Sequence, residues 1–583
     1  MGETPGQLNR SEGRPCFVNI RKKKTSITMR SHSKLLLSSV FGPYAVDDAY
    51  GKKENLMELF HNQVTREQGI FSYRFNHSSF GLYFLAENIE MPTVVLDFPT
   101  LPQFVEELKK GYDYVGISYV MPNLKKAQKM AALVRQHAPN SKIILGGHGV
   151  AVPETEQLID HDYICRGEGV SFLRALFGEA TDKPIRHPLL HSAHNRRVMG
   201  APLPEGSGIL IPGVGCANKC RFCATSHFFG DYIAYLPTGQ DVFDVCCAYE
   251  DTLGVTDFGV MDENFLKQPQ RALELLACME KAGRRFTFGI FSSAETIRAL
   301  PSLDLLVRLG ITFIWMGVES KHAIYEKNKG IDFKVLVAEL RTRGISVMTS
   351  AILFLEEHTQ ENIGEDIDFI VGLKADYVQF MELGPLPGTQ LYREYATQGK
   401  LMTPEEMPYE ERHGQDRIWF KHSAFTGEES AVVLRKAFER DYGVNGASFI
   451  RAVQTAMQGY EYTASSKDPH IRARAEGFKE FLTLTRSFIL SARLFSQNAA
   501  TTSLLESLVQ KYAQHFSTPS LKQRALSMAV AALSSKEALR TKLFSDVRQP
   551  PLRYTQYRVK HREPCSEPHV RLKRTTHPRQ AFA

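Results

Sequence analysis

The chain has 583 residues, of which 43% are hydrophobic and 23% charged, proportions that exclude a disordered, fibrous or wholly membrane-embedded protein and allow two to four domains. Nine cysteines in this length exclude a disulfide framework. The formal charge of +7 is uneven, with basic runs at Arg21-Lys-Lys-Lys24 and from Arg553 to Arg579, but no face interleaves basic with aromatic residues, so nucleic acid is not an expected partner. No uncharged apolar stretch reaches the roughly 18 residues of a spanning helix, and no apolar run precedes Ser33 as in a secretory signal. The expected location is cytoplasmic and reducing.

In chain order, residues 1–33 are polar and basic and read as a disordered N-terminus. From Lys34 to Asn88 aromatic and polar residues mix without a regular period. A regular alternation then begins. Thr93 to Asp97, Tyr114 to Ser118 and Lys142 to Leu145 are short β-branched runs. Helical periodicity separates them at Leu101 to Lys110 and at Leu124 to His137. This predicts an α/β domain over 34–180, a Rossmann- or flavodoxin-like parallel sheet with helices on both faces. Gly146-Gly-His-Gly149 and Arg166-Gly-Glu-Gly169 follow strand ends, where such sheets bind ligands, and Ser118, Gly146 and Gly147 are the candidate binding positions there.

Residues 181–207, with several Pro and His, read as a linker. Gly208 to Pro212 opens a second alternation. Its further strands are expected at Thr256 to Met261, Phe286 to Ser292, Thr312 to Gly317, Ile345 to Phe354 and Tyr377 to Leu383. About six βα units over 208–400 predict a partial TIM-type barrel, with its chemistry at the C-terminal strand ends. Beyond it, 401–548 reads as helical. Phe478 to Phe495 is apolar but carries Lys479, Arg486 and Arg493, which favours an amphipathic core helix over a membrane anchor. Gln549-Pro-Pro551 ends the helices, and 549–583 reads as a basic tail.

The chemistry centres on Cys216-Ala-Asn-Lys-Cys220-Arg-Phe-Cys223, three thiols in eight residues just after a predicted strand. Such thiols are ligands for a soft metal. One reading is zinc, with His227, Cys165 or Cys246-Cys247 completing the set. The other is a [4Fe-4S] cluster with one iron left open. The extra cysteines lie in or beside segments of regular structure, where free thiols pack as small apolar groups. A triple-cysteine loop opening a barrel favours the cluster.

The C-x3-C-x2-C spacing, with Phe222 before the last cysteine, resembles the cluster loop of radical S-adenosylmethionine (radical SAM) enzymes. The resemblance implies that Cys216, Cys220 and Cys223 hold the cluster while Phe222 packs near the adenine of SAM. Met261-Asp-Glu-Asn-Phe265 stands where the family has an acidic motif facing the SAM ammonium, making Asp262 and Glu263 candidates; a helix N-cap at Asp262 or Asn264 is the structural alternative. Ser292-Ser-Ala-Glu295 occupies the ribose and carboxylate position, so Ser292 and Glu295 are candidates, and the same spacing fits a capping box. Trp315-Met-Gly-Val-Glu-Ser320 resembles the family's G-x-E-S, with Glu319 for SAM or positioning; a solvated rim carboxylate is the alternative. Glu382-Leu-Gly-Pro-Leu-Pro-Gly-Thr389 with Leu391-Tyr392 matches the P-x-P-G-T-x-L-Y that closes such barrels. These motifs run in family order over residues 208–395.

Residues 90–178 resemble the cobalamin-binding domain that precedes many radical SAM barrels, through Tyr114-Val-Gly-Ile-Ser118, Ile144-Leu-Gly-Gly147, Pro153-Glu154 and Arg166-Gly-Glu-Gly169. They depart from the D-x-H-x-x-G of cobalamin mutases; His77 has neither the Asp nor the spacing. The resemblance implies three cofactors: a [4Fe-4S] cluster, SAM and cobalamin. It further implies cleavage of SAM to a 5'-deoxyadenosyl radical and methyl transfer to an unactivated carbon, with rearrangement or oxidative cyclisation as a second outcome. The implied partners are an electron donor such as ferredoxin or flavodoxin and a small-molecule or lipid-like substrate. A cobalamin-independent radical SAM oxidoreductase or cyclase is the enzymatic alternative, and a zinc-binding non-catalytic module the alternative of a different class.

Overall fold

The computed structural model describes residues 33–54, 58–204, 206–321, 326–544, 549–550 and 552–557. The basic segments 1–32 and 558–583 lie outside the described residues. The structure is a mixed α/β protein built on two six-stranded sheets.

The first sheet comprises β1 (Leu35–Ser39), β2 (Thr93–Asp97), β3 (Tyr114–Ser118), β4 (Lys142–Gly146) and β5 (Tyr163–Ile164), all parallel in the order β2-β1-β3-β4-β5. β1 lies in the stretch that shows no period in sequence, yet it is a central strand. Its three leucines and two serines are all buried. The serines conceal it from pattern reading, because their hydroxyls are satisfied only in the fold: Ser38 donates to the Leu96 carbonyl at 3.1 Å and Ser39 to Asp97 Oδ1 at 2.8 Å. The order reverses between β1 and β3, which makes their C-terminal ends a topological switch point.

The second sheet comprises β6 (Ser207–Leu210), β7 (Asp257–Val260), β8 (Thr287–Phe291), β9 (Ile311–Glu319), β10 (Ser346–Leu353) and β11 (Tyr377–Glu382). All are parallel and neighbours in space are neighbours in sequence. The largest apolar cluster lies between these strands and their helices. On the sheet's other side Val64 packs with Met348 and Tyr377, and Gln379 Nε2 donates to Gln63 Oε1 at 2.7 Å. Residues near 60–75, although placed with the first domain by sequence, thus pack on the second sheet. The expected linker is also partly regular: His194–Val198 pairs antiparallel with Arg74–Asn76 and with Ala201–Pro202.

Two short helices adjoin the C-terminal loops of the second sheet's strands, α1 (Ala224–Phe229) and α2 (Gln390–Thr397). The C-terminal region is helical, with α3 (Gly427–Asn445), α4 (Ser448–Ala464), α5 (Ile489–Phe495), α6 (Ala499–His515) and α7 (Leu521–Leu543). The amphipathic helix expected over Phe478 to Phe495 is divided by a 3-10 turn at Arg486–Phe488. There Thr485 and Ser487 turn their hydroxyls back onto the carbonyls of Phe481 and Leu484, which bends helices. No described helix is long and apolar enough to cross a membrane.

One expectation is corrected by β12 (Arg553–Tyr557), which falls in the supposed tail but pairs antiparallel with β2. The open edge of β2 supplies unpaired backbone groups, and Leu552 and Tyr554 pack on the first sheet's apolar cluster. Short range gives no hint of this pairing because the partner strand is more than 450 residues away.

Buried charge ties the C-terminal helices to the second sheet. Arg451 of α4 makes 3.0 and 2.6 Å bonds to the two Asp441 oxygens of α3, and donates to the Ala375 carbonyl at 2.8 Å just before β11. Both side chains are buried, and removing one partner strands the other charge. Arg451→Leu is expected to lower stability by about 3–5 kcal/mol, whereas Arg451→Leu with Asp441→Leu recovers most of the loss, as measured by denaturant unfolding.

Candidate functional site

The triple-cysteine loop leaves the C-terminal end of β6 and is bracketed by a two-residue antiparallel pair, Gly213–Val214 with Ile233–Ala234. Gly215 enters it at φ +84°, and a Cβ there would lie 2.1 Å from the Asp231 carbonyl oxygen, so only glycine fits. Cys223 N–H donates to the Cys220 carbonyl at 3.0 Å, and Cys223 is the residue from which α1 starts. The far end of the second sheet holds the loop in place. Leu391 N–H donates to the Arg221 carbonyl at 2.9 Å, and the Arg221 side chain bonds Glu356 at 2.9 Å. Thr389 caps α2 by accepting from Tyr392 N–H at 3.1 Å, which accounts physically for the T-x-L-Y motif: the threonine starts the helix that presents Leu391 to the loop.

Cys216, Cys220 and Cys223 are all free and half-buried. Burial raises the thiols of Cys216 and Cys220, and the cysteines act on one another electrostatically, while the Lys327 amine pulls Cys220 down. Among the described residues no group of three or more His, Cys, Asp or Glu is closed into a metal-binding geometry. The donor set nevertheless fits an iron-sulfur cluster: three thiols share one loop at a parallel-strand end, with cationic and anionic groups around them. His227, the zinc alternative's fourth ligand, bonds the Cys220 backbone through its ring, while its Nε2 is buried without a partner. Cys246 is packed in the second sheet's core, and the buried Cys165 thiol is pushed up to about 12 by burial and then by Glu168. Phe222 is half-buried against the core.

The acidic candidates separate. Asp262 is buried and fully engaged. Its Oδ2 accepts from Arg271 at 2.6 Å and from the Tyr232 hydroxyl at 2.7 Å, and its Oδ1 accepts from Asn264 N–H at 3.1 Å. Glu263 keeps solvent contact although protein crowds it. Burial and then the Asp262 charge raise its carboxyl, a Thr225 hydrogen bond opposes them, and its charge reaches Cys216. Neither Asp262 nor Asn264 forms a side-chain cap. Asn264 instead binds the next strand end, giving a hydrogen bond to the Ser293 hydroxyl at 2.7 Å and accepting from Ser292 and Thr296, each at 3.2 Å. The capping box read at Ser292 and Glu295 does not form: Ser293 holds the N-cap position without a side-chain bond. Glu295 lies 3.8 Å from the Lys267 amine.

Glu319 ends β9 at a register shift and has φ +69°, a conformation costly for a non-glycine residue. It is buried and paired with Lys327, so it is not a solvated rim carboxylate. Burial lowers the Lys327 amine, but the Glu319 charge and hydrogen bond more than offset this and hold it above its ordinary value. Lys327, Arg271, Tyr232 and Asn264 escape sequence reasoning because each acts through a partner that only the fold supplies. At the last strand end, Glu382 is buried and neither carboxyl oxygen has a well-formed hydrogen bond. Burial, then Asp416, push it up to about 8, with Arg66, Arg417 and Ser430 acting the other way.

On the first sheet, Ser118 and Gly146 are register partners at the ends of β3 and β4. Gly147 has φ +82°, and a Cβ there would lie 2.6 Å from the Tyr119 carbonyl oxygen. Gly146 carries no such constraint, its nearest neighbour being Cys165 at 4.0 Å. These tight turns make a cradle at the switch point that fits a cofactor of the first domain. The loop after β1 carries Val40-Phe-Gly-Pro-Tyr44 and no histidine. His77 bonds the Ser192 carbonyl at 2.7 Å, beside the small antiparallel sheet. His148, next to Gly147, reaches the other half of the molecule: its ring stacks on Phe228 of α1 at 4.6 Å and 30°, and its Nε2 is buried without a partner.

Comparison with known proteins agrees with this geometry. A family model described as the B12 binding domain matches residues 72–177. Over 309 residues, 49% of this chain and 66% of the relative, the sequence is 24% identical to bacteriochlorophyllide d C-12(1)-methyltransferase of Chlorobaculum tepidum. It is 25% identical over 416 residues, 61% of this chain and 59% of the relative, to the cobalamin-dependent radical SAM methyltransferase TokK of Streptomyces tokunonensis. The chain is thus similar to radical SAM enzymes and carries a match to the B12 binding domain. The cofactors that follow at this level are cobalamin, SAM and a [4Fe-4S] cluster. Among solved structures, the radical SAM methyltransferase TsrM of Kitasatospora setae, bound to tryptophan and a SAM analogue, has a TM-score of 0.49 and 16% identity, covering 78% of this chain and 99% of that one. The chain spans about three fifths to two thirds of the length of the two curated relatives named.

Two measurements probe these turns. Gly147→Ala is expected to cost more than about 1 kcal/mol in stability and to reduce bound corrin, while Gly146→Ala leaves stability unchanged; thermal unfolding and the absorbance of bound cobalamin measure the two effects. Glu382 keeps a proton in the folded state that the unfolded chain releases above its ordinary value of 4.5. Stability therefore falls as pH rises from about 4.5 to about 8. Glu382→Gln removes that slope and is roughly 3–5 kcal/mol more stable than wild type above pH 8, as read from denaturant midpoints across pH.

Proposed function

We propose that this chain is a cobalamin-dependent radical SAM methyltransferase acting on a carbon of a small-molecule or lipid-like substrate, with ferredoxin or flavodoxin as electron donor in the cytoplasm. The second sheet is a partial (βα)6 barrel in this reading. Cys216, Cys220 and Cys223 hold the cluster, and Ser118, Gly146 and Gly147 form part of the cobalamin cradle. When bound, the cluster supplies the low-potential electron that opens SAM, and cobalamin supplies methyl transfer.

The chain's own residues prepare this chemistry. Glu263, the acid that keeps solvent contact, pairs with the SAM ammonium beside the cluster. Asp262 fixes the strand end through Arg271 and Tyr232. Asn264 orients Ser292 and Ser293 toward the ribose, and Glu295 and the Glu319–Lys327 pair set the charge on the opposite rim. Phe222 packs against the adenine. Half-burial of the loop would limit water around a cluster held there.

The observation that carries the cobalamin-dependent reading is the stack of His148 on Phe228. It joins the glycine turn of the B12-binding domain to the helix begun by Cys223, which supports a reading in which the two cofactors work side by side. A cobalamin-independent oxidoreductase would not need this junction. The relatives named as methyltransferases support the same reaction class.

The test is anaerobic reconstitution with iron, sulfide and cobalamin, followed by incubation with SAM and dithionite. Expected are bound corrin, an absorbance near the 400 nm region that dithionite bleaches, and formation of 5'-deoxyadenosine. Cys220→Ala loses the absorbance and the nucleoside product by two orders of magnitude or more while retaining corrin. Stoichiometric zinc without iron in wild-type protein would overturn the reading.

A further inference from the structure

The helix α7 is held by one face. Val530 and Ser534 are buried, the Ser534 hydroxyl donates to the Met199 carbonyl at 2.7 Å, and Ser491 of α5 donates to Ser534 Oγ at 2.6 Å. The 3.6-residue period places Leu521, Met528, Ala532, Leu539 and Leu543 along the opposite face. They are exposed, the four large ones by 83%, 68%, 57% and 62% in that order. On the same period Arg524 and Lys542 flank this stripe on one side and Lys522 and Lys536 on the other, all exposed. The helix has one acid, Glu537. It is turned inward, pairing with Arg540 at 2.9 Å and lying against Gly200. Beside α7, α5 exposes Leu490, Arg493 and Leu494.

We propose that the outward face of α7 docks flat on an anionic lipid bilayer, with the leucine and methionine stripe at the acyl boundary and the lysines and arginines at the headgroup phosphates. An apolar stripe between two rows of cations, with no acid on the face, is complementary to that surface. Its four flanking cations and exposed setting make it a helix that lies on a membrane, not one that spans it. A nucleic acid would meet the cations but has no partner for exposed Leu and Met side chains, and the face offers no aromatic platform. A two-fold dimer through α7 would oppose like-charged rows. The chain's own termini carry the same sign: 1–32 and 558–583 each contain seven basic and two acidic residues, so their charge adds to the attraction to anionic lipid and opposes their covering the stripe. The inference is independent of the reaction proposed above.

The test is flotation of the full chain, loaded with its cofactors, with phosphatidylcholine vesicles with and without phosphatidylserine. The expected result is binding to the anionic vesicles at least about tenfold tighter than to the neutral ones, falling with added salt. Met528→Ser with Leu539→Ser and Leu543→Ser, and separately Lys522→Glu with Lys536→Glu, each weaken it by about tenfold or more. All five positions are exposed, so circular dichroism and corrin content stay at wild-type values. The proposal is overturned if anionic vesicles are not bound, or if wild type and both variants float equally. It is also overturned if the stripe variant abolishes a dimer while vesicle binding is absent, or if RNA is bound in place of vesicles.

Discussion

The contact between His148 and Phe228 fixes where the two halves of the molecule meet. Apart from the edge strand β12, each sheet is parallel, so each gathers its ligand-binding loops on one edge, and two such edges make one site only if they face each other. Gly147 supplies the left-handed turn that aims His148 across the gap, and Phe228 lies on the helix that Cys223 begins. Nearby, Glu168 of the Arg166-Gly-Glu-Gly169 turn accepts from the Tyr235 hydroxyl at 2.7 Å, just past the strand pair that brackets the cysteine loop. Burial lowers the His148 pKa, so the ring stacks as neutral imidazole and no charge is stranded between the halves.

Around that junction, shape is held by charges that are paired inside the protein. Asp262 with Arg271 and Asp441 with Arg451 are buried on both sides, and the buried Glu319 is paired with a half-buried Lys327. Such pairs contribute little net stability, because desolvation cancels much of the attraction. Their effect is to fix geometry: Arg271 locks the β7 end and Lys327 holds Glu319 in its strained conformation. With Asp262 neutralised, Glu263 is the acid left in contact with solvent next to the cysteines, which is a division of roles that two adjacent carboxylates in a sequence do not reveal.

Much of the second sheet is legible in the amino-acid order, because its strands are long β-branched or aromatic runs and its helices have clear apolar periods. The expected strands at Tyr114 to Ser118 and Tyr377 to Leu383 match β3 and β11 to within a residue. The cysteine loop is legible for a different reason: three ligands of one kind in eight residues need no distant partner to be recognised. β1 is not legible, since two of its five residues are serines whose burial depends on acceptors in β2. The capping box at Ser292 fails because Asn264, 28 residues away, offers the serine a competing bond.

The sequence by itself determined the close spacing of three thiols in one loop, the alternation of strands and helices, and the glycine-rich turns at strand ends. These are local properties, set by ligand type, periodicity and backbone sterics. Tertiary structure decided the rest. It made β1 a central strand, brought β12 back to the edge of β2, moved the 60–75 segment onto the second sheet, and assigned Asp262 to Arg271 and Glu319 to Lys327. Each of these depends on desolvation and on backbone groups seeking partners far along the chain, and the free energy of such a contact exists only once both sides are brought together.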